Sequence, residues 1–313
     1  MKWPWSRTNG EPGWLAMSLR PGEFSYVHGQ HLAGGQSSIE RCGTRSLGAD
    51  LSGSERLAKE FHFERYRCST LLAPGEYQLL LVDAPKVPPA ELKTAIRWRV
   101  KDMIDYHLDD ATIDVLDIPP ESSGSARGHS MYAVAARNDL IESCIGRFQK
   151  AHIPLSVIDI PETAQRNIAA LYETEGRGLA LLYLGPDQGM LTITFRQELY
   201  LARRIEIGMD RVLATDGVAR DELFQRLVLE LQRTFDHFDR QFSYVSIARL
   251  MLAPEPRESG LAEYLGRNFE MPVEGLRLGE ALKFGAQAPA DAAIEWRLFH
   301  LLGASLRHES KVL

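Results

Sequence analysis

Three apolar runs set close together constrain the fold more than any other feature of the chain. They are Leu181-Leu182-Tyr183-Leu184-Gly185, Gly189-Met190-Leu191-Thr192-Ile193-Thr194-Phe195 and Leu199-Tyr200-Leu201-Ala202-Arg203-Arg204-Ile205-Glu206-Ile207-Gly208. The breaks between them are short and hold Gly or polar residues, so the runs read as three consecutive antiparallel strands.

With 313 residues, 44% hydrophobic and 25% charged, the chain has room for two packed units and the content of a globular protein. Its 42 acidic and 36 basic residues are well mixed and leave a net charge of −6. That argues against nucleic acid as the main partner, because phosphate binding needs a concentrated basic face, and only local pairs such as Arg203-Arg204 remain. Cys42, Cys68 and Cys144 lie far apart, which signals neither a zinc site nor a disulfide framework. They read as reduced thiols. No run approaches the roughly 18 apolar residues that cross a bilayer. The start, Met1 to Arg7, lacks the apolar core of a signal peptide, so the protein is expected in the cytoplasm. Trp3, Trp5 and Trp14, beside Lys2 and Arg7, leave two readings open: contact with a membrane interface, or a short tail packed on the fold or disordered.

Along the chain, Trp14–Leu19 and Phe24–His28 flank Arg20-Pro21-Gly22-Glu23 as a hairpin. Gly29–Ser54 carries little pattern and reads as strand edge and loop. Leu79–Val82 is a strand, and Pro88-Pro89 opens a helix with Leu92, Ile96, Val100 and Met103 on one face. Ala111–Pro119 and His129–Arg137 are strands around a polar loop at Glu121–Ser125. Asn138 is read as the cap of a helix from Asp139 to about His152. Residues 76–152 thus form a small α+β unit. Pro154–Ile160 is a strand. A helix follows from Pro161 to about Glu173, with Ala164, Ile168 and Leu171 inward, and the break at Gly176-Arg177-Gly178 marks the boundary between two domains, 1–175 and 176–313. Asp221–Phe242 is the longest helix, Tyr244–Leu252 a strand, Glu258–Phe269 helical, and Ala292–Leu306 the closing helix.

The segment Val87-Pro88-Pro89-Ala90-Glu91-Leu92-Lys93-Thr94-Ala95-Ile96-Arg97-Trp98-Arg99-Val100-Lys101-Asp102-Met103-Ile104-Asp105-Tyr106 and the strand-to-helix joint Val157-Ile158-Asp159-Ile160-Pro161-Glu162 resemble those of actin-like type IV pilus assembly proteins of the PilM type. The likeness is greatest to the MshI branch that serves the mannose-sensitive haemagglutinin (MSHA) pilus, and it spans roughly residues 14 to 306. The resemblance implies an α/β, actin-like (ASKHA) fold: two RNase H-like halves facing a cleft, with residues 76–152 as an inserted SHS2-like unit. It also implies a cytoplasmic scaffold at the inner face of the inner membrane. Its partner would be the N-terminal tail of a bitopic PilN-like protein, docked between the first half and the inserted unit, and a pilus motor ATPase would be a further partner.

Nucleotide-binding members of that fold grip phosphate with two hairpins and seat adenosine on a double Gly. The first hairpin usually carries Asp, a hydrophobic residue, Gly and then Lys; those places here hold Ser18, Leu19, Arg20 and Ser25, and no Asp occurs between Met1 and Ala49. At the second, Tyr183 stands for the Asp, Gly185 matches, and Gly208 is kept but followed by Met209. The double Gly falls at Ala253-Pro254, where a Cβ and a pyrrolidine ring obstruct close backbone approach. A phenol cannot supply a carboxylate's charge at neutral pH. The expectation is a nucleotide cleft that has lost its site: no catalysis and no cofactor, with ATP and Mg²⁺ as the alternative. If a metal site has been misplaced, Asp159, Asp187 or Asp83 is the candidate to point into the cleft. A related reading, the L-type proteins of type II secretion, carries the expectation of a membrane helix after the fold, and the sequence to Leu313 shows none.

Arg97 and Trp98 are the candidate partner-binding residues, since Arg and Trp are favoured at interface centres and Trp98 lies off the Leu92/Ile96/Val100 stripe; the alternative is that Trp98 packs on the neighbouring half. His28 and His31 have a metal-like spacing that nothing completes, and Asp236, His237 and Asp239 read as the solvated face of the long helix. Gly34-Gly35 and Arg127-Gly128 are weak loop signals, lacking the strand, helix and Lys of a phosphate loop.

Overall fold

The computed structural model describes residues 12–32, 36–48, 53–120, 129–288 and 291–308. Trp3, Trp5, Gly34-Gly35, the Glu121–Ser125 loop and Arg127-Gly128 lie outside the described residues.

The hairpin read at the start of the chain is β1 (Trp14–Arg20) and β2 (Glu23–His31), joined in register from Trp14 opposite Gly29 to Arg20 opposite Glu23. The stretch from Gly29 to Ser54, read as edge and loop, is instead β3 (Ser37–Ser46), a ten-residue strand inside the sheet, and the start of α1 (Ser54–Phe61). Its buried residues explain the weak signal: Ser37 and Ser38 stand beside Ile39 and Cys42, so no apolar alternation shows. β4 (Arg67–Leu71) follows.

The inserted unit contains β5 (Tyr77–Asp83), α2 (Pro89–Val100), β6 (Ala111–Ile118), β7 (Ser130–Arg137) and α3 (Asn138–Lys150), and its three strands pair in the order β5-β7-β6. Ile96 and Val100 of α2 pack on Val82, Met131 and Ala133. The helix ends at Val100, so Met103 lies in the turn beyond it and is exposed. Asn138 is the first residue of α3 rather than its cap: its side chain accepts from Thr112 Oγ1 (2.7 Å) and donates to the Asp109 carbonyl (2.9 Å), tying the helix to β6.

β8 (Leu155–Asp159) and α4 (Pro161–Ala169) return to the first half. The three runs that opened the sequence argument are β9 (Gly178–Leu184), β10 (Gly189–Phe195) and β11 (Glu198–Ile205), antiparallel as expected. Then come α5 (Met209–Ala214), α6 (Gly217–Gln241), β12 (Ile247–Leu252), α7 (Leu261–Asn268), β13 (Val273–Gly275), α8 (Leu278–Ala281), β14 (Leu282–Gln287), α9 (Ala292–Arg297) and α10 (Phe299–Ser305). The closing helix is thus broken in two at Leu298.

One sheet runs β14-β3-β2-β1-β4-β8 and the other β11-β10-β9-β12-β13. The halves are therefore not two contiguous stretches of chain. β14 pairs in parallel with β3, and α10 packs on α4, β1 and β2. The crossing of α10 on α4 is very close: a Cβ on Gly303 would stand 2.0 Å from the Ala164 carbonyl oxygen.

Candidate functional site

The ends of the two hairpins face one another across the gap between the sheets. Ser18 pairs with Ser25 in the first; in the second, the Gly185 N–H closes the turn on the Gln188 carbonyl at 3.0 Å. Ser18, Arg20, Tyr183 and Gly185 line one cavity of about 620 Å³. Gly208 does not line it but supports it from behind. A Cβ there would meet the Pro186 carbonyl oxygen at 2.1 Å, and the Met209 and Asp210 N–H groups bond the Gly185 and Pro186 carbonyls. Ala253 and Pro254 line a second cavity, also about 620 Å³, with Leu276, Leu278, Glu255 and Glu295.

Tyr183 is buried at the end of β9. Its ring stacks on Phe299 (centroids 5.0 Å apart, 5° between planes), meets His300 edge-on at 4.5 Å, and its O–H donates to the Trp296 carbonyl at 3.3 Å. Burial pushes its pKa up to about 12, against the pull of the Arg20 charge. Trp296 Nε1–H donates to the Leu184 carbonyl at 2.6 Å, and Arg297 forms an ion pair with Glu23 of the first hairpin. α9 and α10 thus reach across the gap to both hairpins. His300 is partly buried, packed against Tyr183 and Phe299, and its desolvation depresses its pKa to about 3 and keeps it neutral. Gln165, on α4, bonds the Leu181 carbonyl (2.7 Å) and Thr192 Oγ1 (3.0 Å), joining the first half to the second sheet.

A second cluster lines the same cavity. Tyr77 Oη donates to Glu162 Oε2 at 2.5 Å, and the Arg204 guanidinium lies 5.4 Å from the Tyr77 ring centroid. Glu162 is buried at the start of α4, and that burial raises its pKa against the hydrogen bond from Tyr77 and the Arg204 charge. The inserted unit, first half and second half meet here in three side chains. Of the carboxylates that could point into the cleft, Asp187 lines the cavity. Asp159 accepts from Arg307 at 2.5 Å and from the Ile160 N–H, and neither it nor Asp83 lines the cavity. Sequence reasoning placed no role on Glu162, Trp296, Arg297 or His300, although the Pro161-Glu162 joint and the aromatic last helix were visible signals.

The structure separates the two partner-binding candidates. Arg97 turns inward, donating to the Leu108 (2.8 Å) and Ala111 (3.0 Å) carbonyls, and so braces the turn before β6. Trp98 is 65% exposed, with Lys101 Nζ 5.8 Å from its ring centroid, on the side of α2 opposite Ile96. It does not pack on the neighbouring half. The other face of the inserted sheet packs Leu79 and Leu116 with Leu72, Ile141, Ile158 and Ile160. β5 and β8 are the outer strands of their sheets at this seam, and Leu81 and Ile145 are exposed there and one turn beyond Ile141.

His28 bonds the Pro12 carbonyl (2.9 Å), whereas His31 stacks on His308 (3.9 Å) and meets Ser37 Oγ (2.8 Å), so the two do not converge. Among the described residues no group of three or more His, Cys, Asp or Glu side chains is placed to hold a metal ion, and no helix is long and apolar enough to cross a membrane. Asp236, His237 and Asp239 are exposed on α6.

No family model and no curated protein matches the sequence. Solved structures do. A PilM–PilN type IV pilus biogenesis complex contains a chain 17% identical, matched over 97% of this chain and 100% of that one, with a TM-score of 0.66. The cytoplasmic domain of EpsL, an inner-membrane component of the type II secretion system of Vibrio cholerae, is 14% identical over 93% of each chain, with a TM-score of 0.47. A Bacteroides thetaiotaomicron protein with an actin-like ATPase fold is 10% identical over 87% of this chain and 92% of that one, at 0.46. The fold is actin-like, of the PilM kind.

Proposed function

We propose that this chain is a non-hydrolysing actin-like scaffold of a type IV pilus assembly machine, of the MSHA type, that works at the cytoplasmic face of the inner membrane by docking the N-terminal tail of a PilN-like membrane protein. The observation that carries this reading is the match in fold, over 97% of this chain, to a chain of a PilM–PilN type IV pilus biogenesis complex. The seam between β5 and β8 supports it. Two outer strands beside partly buried Leu79, Ile141 and Ile158 suit an extended peptide, which adds backbone hydrogen bonds at a strand edge and places alternate side chains in apolar pockets. A pilus motor ATPase is a further partner on this reading.

The chemistry of the cleft supports an absence of hydrolysis. A magnesium-bound polyphosphate calls for carboxylates open to the metal. Here Glu23 is paired with Arg297, Glu162 is buried against Tyr77, and the strand end holds Tyr183 packed on Phe299. Asp187 is the one lining carboxylate left open, on the turn after β9, and a single such group beside Arg20 and Arg204 speaks against a magnesium nucleotide. The test is calorimetry of the full chain with two titrants: the tail peptide of a PilN-like partner, and ATP with Mg²⁺. Micromolar peptide binding with protection of residues 76–152 from proteolysis is the expected result. Magnesium-dependent ATP binding without peptide binding would favour the ATPase alternative.

A further inference from the structure

The sheet of the inserted unit is covered on both faces. Leu80, Val82, Met131 and Ala133 pack under α2. The residues that alternate with them point to the other face, and there the unit touches both halves at once. Tyr77 and Ala136 pack with Leu72 and Ile160 of the first half, beside the seam, whereas Ile118 and Tyr132 belong to the core of the second half, with Leu199 and Tyr200. Leu79 and Leu116 pack against both groups.

Hydrogen bonds fasten the same junction. Tyr132 Oη on β7 donates to the Tyr200 carbonyl of β11 at 3.2 Å, and Tyr200 Oη donates back to the Pro119 carbonyl, just past β6, at 3.1 Å. β11 pairs with β10, where Arg204 stands opposite Met190 and Ile205 opposite Gly189. Arg204, Met190 and Gly189 line the cavity between the hairpins. Packed side chains thus lead from the seam, through Leu79 and Leu116, to β11 and the cleft. Close-packed elements shift as bodies because their interiors barely compress, so a displacement of this small sheet on its first-half side is answered on its second-half side.

We propose that the inserted unit is a lever: an extended peptide in the seam between β5 and β8 reorients the three-stranded sheet, and Tyr132 and Tyr200 pass that motion to β11 and the second hairpin, which sets how far the halves stand apart. The proposal rests on the reading that a peptide docks at the seam. Linkage is reciprocal, so a change at the mouth of the cleft is felt in β5 as well.

The experiment measures hydrogen exchange of the full chain with and without the tail peptide of a PilN-like partner. Exchange is expected to slow by about threefold or more at residues 77–83 and also at residues 185–190 and 199–205, which lie away from the seam. In Tyr132→Phe with Tyr200→Phe the peptide should bind within about twofold of its affinity for the parent chain, while the remote slowing is lost. A second measurement needs no peptide: Arg297→Glu, at the mouth of the cleft, should raise exchange at residues 77–83 by about twofold or more. Bound peptide with slowing confined to the seam, or remote slowing that survives in the paired Tyr variant, overturns the lever. Absence of peptide binding overturns the reading of the seam and the peptide as the driver; the linkage itself is then decided by Arg297→Glu, and unchanged exchange at residues 77–83 overturns it.

Discussion

Two glycines differ in what stands where a side chain would begin. Gly303 faces the Ala164 backbone at 2.0 Å, while nothing lies within 4 Å of the Cβ position of Gly279, on α8. Gly303→Val should cost about 3 kcal/mol by forcing α10 off α4, and Gly279→Ala should gain about 0.5 kcal/mol by stiffening the unfolded chain; urea melts of both variants check the contrast. His300 makes a residue-scale prediction with a sign. Its pKa falls from 6.5 to about 3 on burial, so the stability tied to its neutral form is whole above 6.5 and lost as pH drops toward 3. His300→Gln should show a shallower fall in Tm between neutral and acid pH than the parent chain. Tyr183 was legible in the sequence because its neighbours along the strand define its place. The pairing of Arg297 with Glu23 was not, because nothing local connects residues 274 positions apart.

At the scale of elements, strands with aliphatic runs were legible and strands with small polar interiors were not. β9 and β10 bury every residue and read directly from the sequence, whereas β3 hides behind Ser37 and Ser38, and β14 carries Lys283, Gly285 and Gln287 among its six residues. The Ile-Arg-Trp segment drew attention to α2, yet its periodicity could not say which face the rest of the molecule would cover. The structure turns Trp98 outward and puts the apolar seam on the other face of the inserted sheet. Leu81→Asp and Ile145→Asp should each weaken tail-peptide binding about tenfold or more, with Trp98→Ala near neutral. A large loss from Trp98→Ala alone, read by the same calorimetry, would move the docking site to the outer side of α2.

Across the whole molecule, α10 belongs to the first half by packing and to the second by sequence, and with α9 it bridges the two hairpins. The Arg297–Glu23 pair is partly exposed, so its loss should cost no more than about 1 kcal/mol of stability. Its effect should show in shape. Arg297→Glu is expected to widen the gap between the halves, visible as a larger radius of gyration by small-angle scattering, and Arg297→Glu with Glu23→Arg should restore it. The return of β14 to the edge of β3 has a consequence for how the chain is made. The first half is begun by the earliest strands but cannot close until residues 282–305 have left the ribosome. Until then β3 offers an unpaired edge to any passing strand, and a nascent or truncated chain ending before Leu282 should need a chaperone that the finished protein does not.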